Sequence, residues 1–182
     1  ADSIKYKALI QVFLNEEHAS PWMEKFVLES LIRMDRADLA LLRMKKRFKE
    51  MVDGPLSTLW ESWHYTGAGW SYNHGWAGGP LVLLSQYFAG IYPDEKKSDH
   101  FLIKPILAGL EWVNASIATK HGILRVRFKN DDTSMTVSCS VPPGLTVSLA
   151  IPKNGKPIRQ VFETGKPVPV VKEDAQYLWV EL

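Results

Sequence analysis

The sequence predicts an α+β protein, with helices in its first half and an antiparallel β-sandwich in its second half. Up to about Gly90, apolar residues recur at helical spacing. After a polar run at Asp94–Asp99, short segments rich in β-branched and aromatic residues follow one another at intervals of roughly 8–12 residues, separated by turn sequences. We therefore expect two domains, residues 1–92 and residues 99–182.

Composition and charge limit the classes of protein to which this chain can belong. The chain has 182 residues, 46% of them hydrophobic, which is enough to form a substantial core. Lys and Arg number 22 against 20 Asp and Glu, so the formal charge of +2 does not favour a nucleic-acid partner. No apolar run reaches membrane-spanning length, and no membrane partner is expected. The single cysteine, Cys139, excludes an internal disulfide framework.

Local signals delimit four predicted helices. They span Ile4–Leu14, Trp22–Met34, Arg36 to about Val52, and Leu81–Ala89. Ser20 followed by Pro21 is a typical helix start, Asp35 is the expected cap of the third helix, and Gly90 ends the fourth. Leu42 is expected to face inward on the third helix, and Glu24 on the second is expected at the surface or in an ion pair.

Alternation and turn residues delimit eight predicted strands in the second half. They are Phe101–Ile106, Leu110–Thr119, Ile123–Lys129, Ser134–Val141, Leu145–Ile151, Gln160–Glu163, Val168–Val171 and Tyr177–Glu181. The predicted strands Ile123–Lys129 and Ser134–Val141 alternate cleanly between apolar and polar residues, which indicates one buried and one solvated face.

Aromatic residues are concentrated in one stretch, Ser57–Trp76. It contains four of the seven tryptophans, two of the five histidines and a single carboxylate, Glu61. Flat aromatic faces around one acid suit a sugar site, because they stack on pyranose C–H groups while polar groups bind the hydroxyls. Tryptophan is also heavily buried in general, so an aromatic plug between two helices explains the same composition.

An ordered set of motifs extends along nearly the whole chain: Ala19–Met23, Phe26–Glu29, Arg43–Arg47, Ser57–Trp63, Ser71–His74, Tyr87–Ile91, Phe101–Pro105 and Thr119–Gly122. At the residue level this set resembles the C-terminal portion of bacterial α-L-rhamnosidases of glycoside hydrolase family 78. The resemblance implies that residues 1–92 are the last helices of an (α/α)6 catalytic barrel and that residues 99–182 are the C-terminal β-sandwich. It also implies that this chain is a fragment of a larger enzyme, whose missing N-terminal part is its partner.

The same resemblance assigns roles to particular residues. Glu61 would be the general base of an inverting hydrolysis that removes terminal α-L-rhamnose, and the general acid would lie upstream of this chain. His74 would contact the sugar. The proposed stacking residues are Trp22, Trp60, Trp63 and Trp70. We expect Glu61, His74, Trp63 and Trp70 to line one concavity.

Alternative interpretations accompany these roles. Glu61 could instead form a structural salt bridge, His74 could tie the loop to the following helix, and each tryptophan could serve packing alone. The chain as a whole could be a non-catalytic carbohydrate-binding or interaction module. A second carboxylate near Glu61 would separate the two functions, and none is evident in the sequence.

The remaining expectations concern cofactors, partners and location. The scattered histidines show no ligand spacing, so neither a metal nor a cofactor is predicted. The expected ligand is a rhamnose-containing glycoside or oligosaccharide. Helices that lack their barrel neighbours should expose apolar surface or cover it with a second copy of the chain as a homodimer. A bacterial source is implied, and periplasmic, secreted and cytoplasmic locations stay open.

Overall fold

The computed structural model describes residues 3–15, 18–65, 69–131, 134–153, 155, 162–163 and 166–182. The chain divides into two compact units, Ala1–Leu83 and Leu84–Leu182. The first unit is helical and the second is built from β-sheets, so the predicted α+β class is confirmed.

In the described part of the first unit the chain forms five helices and one 3-10 turn. They are α1 Ser3–Asn15, α2 Pro21–Arg33, α3 Ala37–Arg47, α4 Lys49–Asp53, the turn Gly75–Gly78, and α5 Gly79–Leu83. The predicted start of α2 is confirmed, since Ser20 accepts a hydrogen bond from the Met23 N–H at 3.3 Å and Pro21 is the first helical residue.

The third predicted helix differs from the structure at its start and by an internal break. Asp35 does not cap it: Asp35 adopts a left-handed conformation (φ 62°), and Arg36 occupies the cap position without a capping side-chain bond. The helix is also interrupted at Phe48, which separates α3 from α4. The Phe48 side chain is buried and packs edge-on against Trp63, with ring centroids 5.0 Å apart. This tertiary contact coincides with the break.

Helix α2 is the centre of the first unit, since it contacts α3, α5 and the 3-10 turn. Leu28 and Leu31 of α2 are fully buried, and so is the small side chain of Ala40 on α3. The expectation that Leu42 faces inward is wrong, because its side chain is 62% exposed. The buried face of α3 is carried instead by Ala37, Ala40, Arg43 and Met44.

The fourth predicted helix is partly a wider turn. Helix α5 ends at Leu83, and residues Leu84–Phe88 form a π-helical turn in which the Ala89 N–H donates to the Leu84 carbonyl, five residues back. Gly90 then takes a positive φ of 71°. The second unit therefore begins before the polar run at residues 94–99.

Ten strands follow within the described ranges of the second unit. They are β1 Ile91–Pro93, β2 His100–Ile103, β3 Trp112–Thr119, β4 Gly122–Asn130, β5 Met135–Ser140, β6 Thr146–Pro152, β7 Phe162–Glu163, β8 Lys166–Pro167, β9 Lys172–Glu173 and β10 Tyr177–Glu181.

The strands form a five-stranded sheet in the order β1-β2-β6-β10-β9, a three-stranded sheet β3-β4-β5, and the two-stranded pair β7-β8. The prediction of a wholly antiparallel arrangement is wrong, because β2 runs parallel to β6, with His100 opposite Thr146. The physical reason is the connection: β3, β4 and β5 lie between these strands in the chain and form their own sheet, so the chain returns to β2 in the same direction.

One hydrophobic core contains side chains from both larger sheets. Its fully buried members include Ile103 and Val147 from the first sheet and Leu124 and Phe128 from the second. The predicted alternation of β4 is confirmed, since Leu124, Val126 and Phe128 are buried while Arg125 between them is exposed.

Two strand predictions near the C-terminus need comment. Residues 168–171 are not a strand, because β8 ends at Pro167 and β9 begins at Lys172. Pro169, within this range, has no N–H to donate to a sheet, which disfavours a strand there. Of the predicted strand Gln160–Glu163, the first two residues lie outside the described part of the chain, and Phe162–Glu163 is β7.

Candidate functional site

The aromatic stretch folds back on itself, so that two of its segments run side by side. The Glu61 N–H donates to the Ser71 carbonyl at 2.9 Å, and the His74 N–H donates to the Leu59 carbonyl at 2.8 Å. The Thr58 hydroxyl also donates to the Tyr72 carbonyl. These bonds bring Glu61 next to the Ser71–His74 segment, although ten or more residues separate them in the sequence.

Glu61 presents a partly exposed carboxylate on this paired segment. Its Oε2 accepts a hydrogen bond from the Ser71 N–H at 3.1 Å. The same oxygen lies 3.8 Å from Nδ1 of His74, and the two side chains are 28% and 26% exposed. Within the part of the chain that the structure describes, Oε1 of Glu61 accepts no hydrogen bond. One carboxylate oxygen is thus anchored by the Ser71 N–H.

His74 connects the carboxylate to two further aromatic residues. Its ring lies 4.0 Å from the Trp76 ring, centroid to centroid. The Trp76 ring lies 6.1 Å from that of Trp22, which also meets Phe26 edge-on at 5.9 Å. Trp22 and Trp76 are 47% and 49% exposed. A carboxylate, an imidazole and two half-exposed indoles therefore form a continuous series of contacts.

Trp60 has a different position from the other candidate tryptophans. It is fully buried, and its ring packs against Tyr65 and Tyr72 at 5.6 Å and 5.7 Å. Gly54 lies directly over it, and a Cβ at that position would come within 3.0 Å of the indole. Trp60 has no exposed face to offer a ligand and supports the segment from inside.

Trp63 is held against the helices. Its indole N–H donates to the Ala19 carbonyl at 2.7 Å, and the Arg47 guanidinium lies 4.0 Å from its ring centroid. Trp70, next to Ser71 in the chain, is 52% exposed. The structure thus brings Glu61 and His74 together, whereas Trp63 is engaged on the helical side.

Neither of two nearby cavities is lined by Glu61 or His74. One, of about 720 Å³, is bordered by Arg47, Glu50, Trp63 and His64 among others. The other, of about 570 Å³, is a mostly apolar depression that includes Phe13, Ala19 and Phe26. The Glu61 carboxylate and the His74 ring therefore lie at the surface, outside both depressions.

Other charged groups nearby have structural partners. His64 lies 3.1 Å from Glu50, which also accepts the Tyr65 N–H at 3.1 Å. These contacts lower the pKa of Glu50, the Tyr65 N–H being the main cause. Among the described residues there is no group of three or more His, Cys, Asp or Glu side chains that could hold a metal ion. No helix in the described ranges has the length and apolar character needed to cross a membrane.

Sequence reasoning missed three contributors to this arrangement. Ser71 contributes its backbone N–H, and because almost every residue has this group, the residue type gives no signal of the contact. Trp76 was in the aromatic stretch but had no motif of its own, although its position two residues after His74 was a usable signal. Arg47 lies among Lys45, Lys46 and Lys49, a basic run typical of a solvated face, yet its side chain is only 9% exposed.

Comparisons with known proteins identify the relatives of this fold. Residues 90–166 match the family described as bacterial alpha-L-rhamnosidase C-terminal domain. Among solved structures, the α-L-rhamnosidase from Dictyoglumus thermophilum aligns over 87% of this chain and 19% of its own, with a TM-score of 0.71 and 20% identity. The Streptomyces avermitilis α-L-rhamnosidase complexed with L-rhamnose aligns over 87% of this chain and 16% of its own, with a TM-score of 0.70 and 21% identity.

A third structure, the native α-L-rhamnosidase from Aspergillus terreus, covers 71% of this chain and 17% of its own, with a TM-score of 0.60 and 18% identity. No curated protein sequence matches the chain. The resemblance to the C-terminal part of a bacterial α-L-rhamnosidase is thereby confirmed. This chain spans less than a fifth of the length of each of these three structures.

Proposed function

We propose that this chain is the C-terminal portion of an α-L-rhamnosidase-like glycoside hydrolase that removes terminal α-L-rhamnose with inversion of configuration. In this proposal the first unit supplies the last helices of an (α/α)6 barrel and the second unit is the C-terminal β domain. These units divide between Leu83 and Leu84, ahead of the division near residues 92–99 that the sequence leads us to expect. The general acid would come from the upstream part of the enzyme.

The observation that carries the proposal is the position of the Glu61 carboxylate. A general base must face the attacking water with a free lone pair and must be held in place by other contacts. The Ser71 N–H anchors Oε2, and Oε1 is the oxygen that would take the proton from water. An inverting enzyme places its two carboxyl groups about 6.5–9.5 Å apart to admit that water, so the acid belongs across an opening rather than beside Glu61.

The neighbouring groups suit the binding of a sugar. His74, 3.8 Å from the carboxylate, offers imidazole nitrogens that can form hydrogen bonds with hydroxyl groups. The exposed indoles of Trp22, Trp70 and Trp76 supply flat apolar surface. Trp60 and Trp63 would act from beneath, by fixing the segment that carries Glu61. In this proposal the upstream barrel supplies the other wall of the site, opposite Glu61.

The experiment is a substitution in the complete enzyme that contains this chain. Glu61→Gln keeps the size of the side chain and its contact with Ser71 but removes the base, so kcat should fall by roughly 10²–10⁴-fold. Glu29→Gln, which alters an exposed pair with Arg33, is the matched control and should keep normal kcat. The first-formed sugar, followed by proton NMR, should be the β-anomer. Near-normal kcat in Glu61→Gln, or the α-anomer as first product, would refute the proposed mechanism.

A non-catalytic sugar-binding module is the other outcome of this experiment. It would show rhamnoside binding that depends on His74 and the exposed indoles, with no turnover in the complete protein and no effect of Glu61→Gln on binding.

A further inference from the structure

The segment that carries Glu61 is tied to the helices through Trp63, two residues further along the chain. Three contacts hold the Trp63 ring: the Ala19 carbonyl accepts from its indole N–H at 2.7 Å, Phe48 packs edge-on at 5.0 Å, and Arg47 covers its face at 4.0 Å. On the other side of Glu61 the His74 N–H donates to the Leu59 carbonyl at 2.8 Å, and Ser71 bonds to Glu61 itself. Glu61 is therefore held between two attachments, of which Trp63 is one.

Arg47 is the link between Trp63 and the interior of the helical unit. Its guanidinium donates to the Ala19 carbonyl at 2.8 Å, the same oxygen that Trp63 uses. Its Nε lies 3.6 Å from Oε2 of Glu24. A planar guanidinium can stack on an indole and donate in its own plane at the same time, which a lysine ammonium cannot do.

The partner of Arg47 is itself fixed. Glu24 is fully buried and binds Arg43 through both oxygens, at 2.5 Å and 3.0 Å. Arg43 also donates to the Phe13 carbonyl at the end of α1. One buried carboxylate thus faces two guanidinium groups, and Arg47 is the more distant of the two. The Trp63 face and the Ala19 carbonyl also present negative potential to the Arg47 guanidinium.

We propose that Arg47 is a positioning residue for the reaction: through Trp63 it fixes the segment that places the Glu61 carboxylate. This inference rests on the proposed function, because it assumes that Glu61 is the base. Arg47 touches neither substrate nor reacting atoms in this scheme. Its effect is geometric, and small displacements of a catalytic group can cost about 10²-fold in rate.

The test uses Arg47→Lys, Trp63→Phe and the double variant in the complete enzyme. Arg47→Lys keeps the charge but loses the stacking plane, and Trp63→Phe keeps a ring but loses the N–H bond to Ala19. Each single variant should lower kcat by roughly tenfold with KM changed less than about threefold, since positioning acts on the chemical step. In the double variant kcat should fall by no more than about tenfold to thirtyfold, because both changes break the same attachment. Arg33→Lys, in an exposed pair with Glu29, is the control and should be unaffected.

Distinct results would overturn the inference. If Arg47→Lys lowers the thermal midpoint while kcat and KM of the folded enzyme stay normal, Arg47 is structural only. If Trp63→Phe raises KM strongly and its effect multiplies with that of Arg47→Lys, Trp63 contacts substrate independently of Arg47. If Arg47→Lys does not fold, Trp63→Phe decides alone through its kcat and KM. Full activity of Glu61→Gln would instead refute the proposed function.

Discussion

At the residue scale, Glu24 shows how an acidic side chain can belong to the core. The sequence placed Glu24 at the surface or in an ion pair, because a glutamate on an amphipathic helix is usually solvated. The ion-pair interpretation is correct, whereas the surface position is wrong, since the side chain is fully buried between Arg43 and Arg47. The sequence signal was the i, i+4 spacing of the two arginines, which places both on one face of α3.

Removing the charge of Glu24 should strongly destabilise the protein. In Glu24→Gln two nearly buried guanidinium groups lose the charge of a buried carboxylate that faces both of them, and the loss of one partner of a buried pair typically costs about 3–5 kcal/mol. Urea unfolding followed by circular dichroism measures the change. Glu29→Gln, with its exposed i, i+4 partner Arg33, should cost about 0–1 kcal/mol, and equal losses in the two variants would contradict this account.

Asp99 should make the stability of the second unit depend on acidic pH. Lys120 at 2.7 Å and His121 at 2.9 Å lower the pKa of Asp99 from 3.8 to about 2, with Lys120 as the main cause. A depressed folded-state pKa contributes stability above the unfolded-state value, and this contribution disappears as pH falls from about 4 to about 2. The free energy of unfolding should therefore differ between wild type and Asp99→Asn at pH 5 and converge towards pH 2. A difference that is constant over this range would show that Asp99 does not titrate as stated.

The residues of the candidate site were predictable to different degrees. Glu61 and His74 were identified through motifs, and the structure brings their side chains within 3.8 Å. The bond from the Ser71 backbone and the stacking of Arg47 on Trp63 depend on how distant segments meet, which spacing along one helix or strand does not encode. The burial of Trp60 was equally inaccessible, because composition alone does not separate a packing tryptophan from a binding one.

At the scale of elements, the sequence predicted the start of α2 correctly but neither the cap of α3 nor the interruptions within the predicted helices. Ser20 and Pro21 start α2 through local bonds that need no other part of the molecule. The break at Phe48 and the π-helical turn at Leu84–Phe88 accompany tertiary packing, so helical spacing continued through both. The same limitation applies to the strands: alternation predicted β4 well but carries no information on which strands pair in parallel.

Gly90 closes the π-helical turn and should tolerate no side chain. Its φ is 71°, and a Cβ there would lie 2.1 Å from the Lys104 carbonyl carbon and oxygen. Gly109 has a similar φ of 84°, but a Cβ there would meet no described atom within 4 Å, so Gly109 isolates the cost of backbone strain. Gly109→Ala should cost about 1–2 kcal/mol, and Gly90→Ala should cost more by at least about 1–3 kcal/mol because of the added overlap. Equal losses of unfolding free energy in the two variants would show that the chain near Lys104 shifts to admit the methyl group without further destabilisation.

At the scale of the whole molecule, the first unit exposes several large apolar side chains. Ile4, Leu42, Val52 and Leu81 are between 62% and 79% exposed. Exposed apolar surface of this extent commonly marks contact with another chain or segment. This feature agrees with the proposal that upstream helices complete the unit, and a second copy of the chain is the alternative cover.

The isolated 182-residue chain should therefore associate or bind an apolar dye, and it should hydrolyse rhamnosides negligibly without the proposed upstream acid. Light scattering, dye fluorescence and a rhamnoside assay measure these properties. Val52→Lys and Leu81→Glu together should reduce dye binding. A strictly monomeric chain that binds no dye, or turnover that Glu61→Gln abolishes, would show that these residues form a complete domain with their own acid.

The parallel pairing of β2 with β6 has a consequence for the order in which the second unit is completed during synthesis. His100 meets Thr146, 46 residues later, so one edge of β2 stays unpaired in the nascent chain while β3, β4 and β5 emerge and can already form their own sheet. The other edge of β6 stays unpaired until β10, which ends at Glu181, has been synthesised. The ribosome must therefore extrude the chain through β10 before the five-stranded sheet can close. Any truncation before Tyr177 leaves β6 as an open sheet edge, the kind of surface on which chains aggregate.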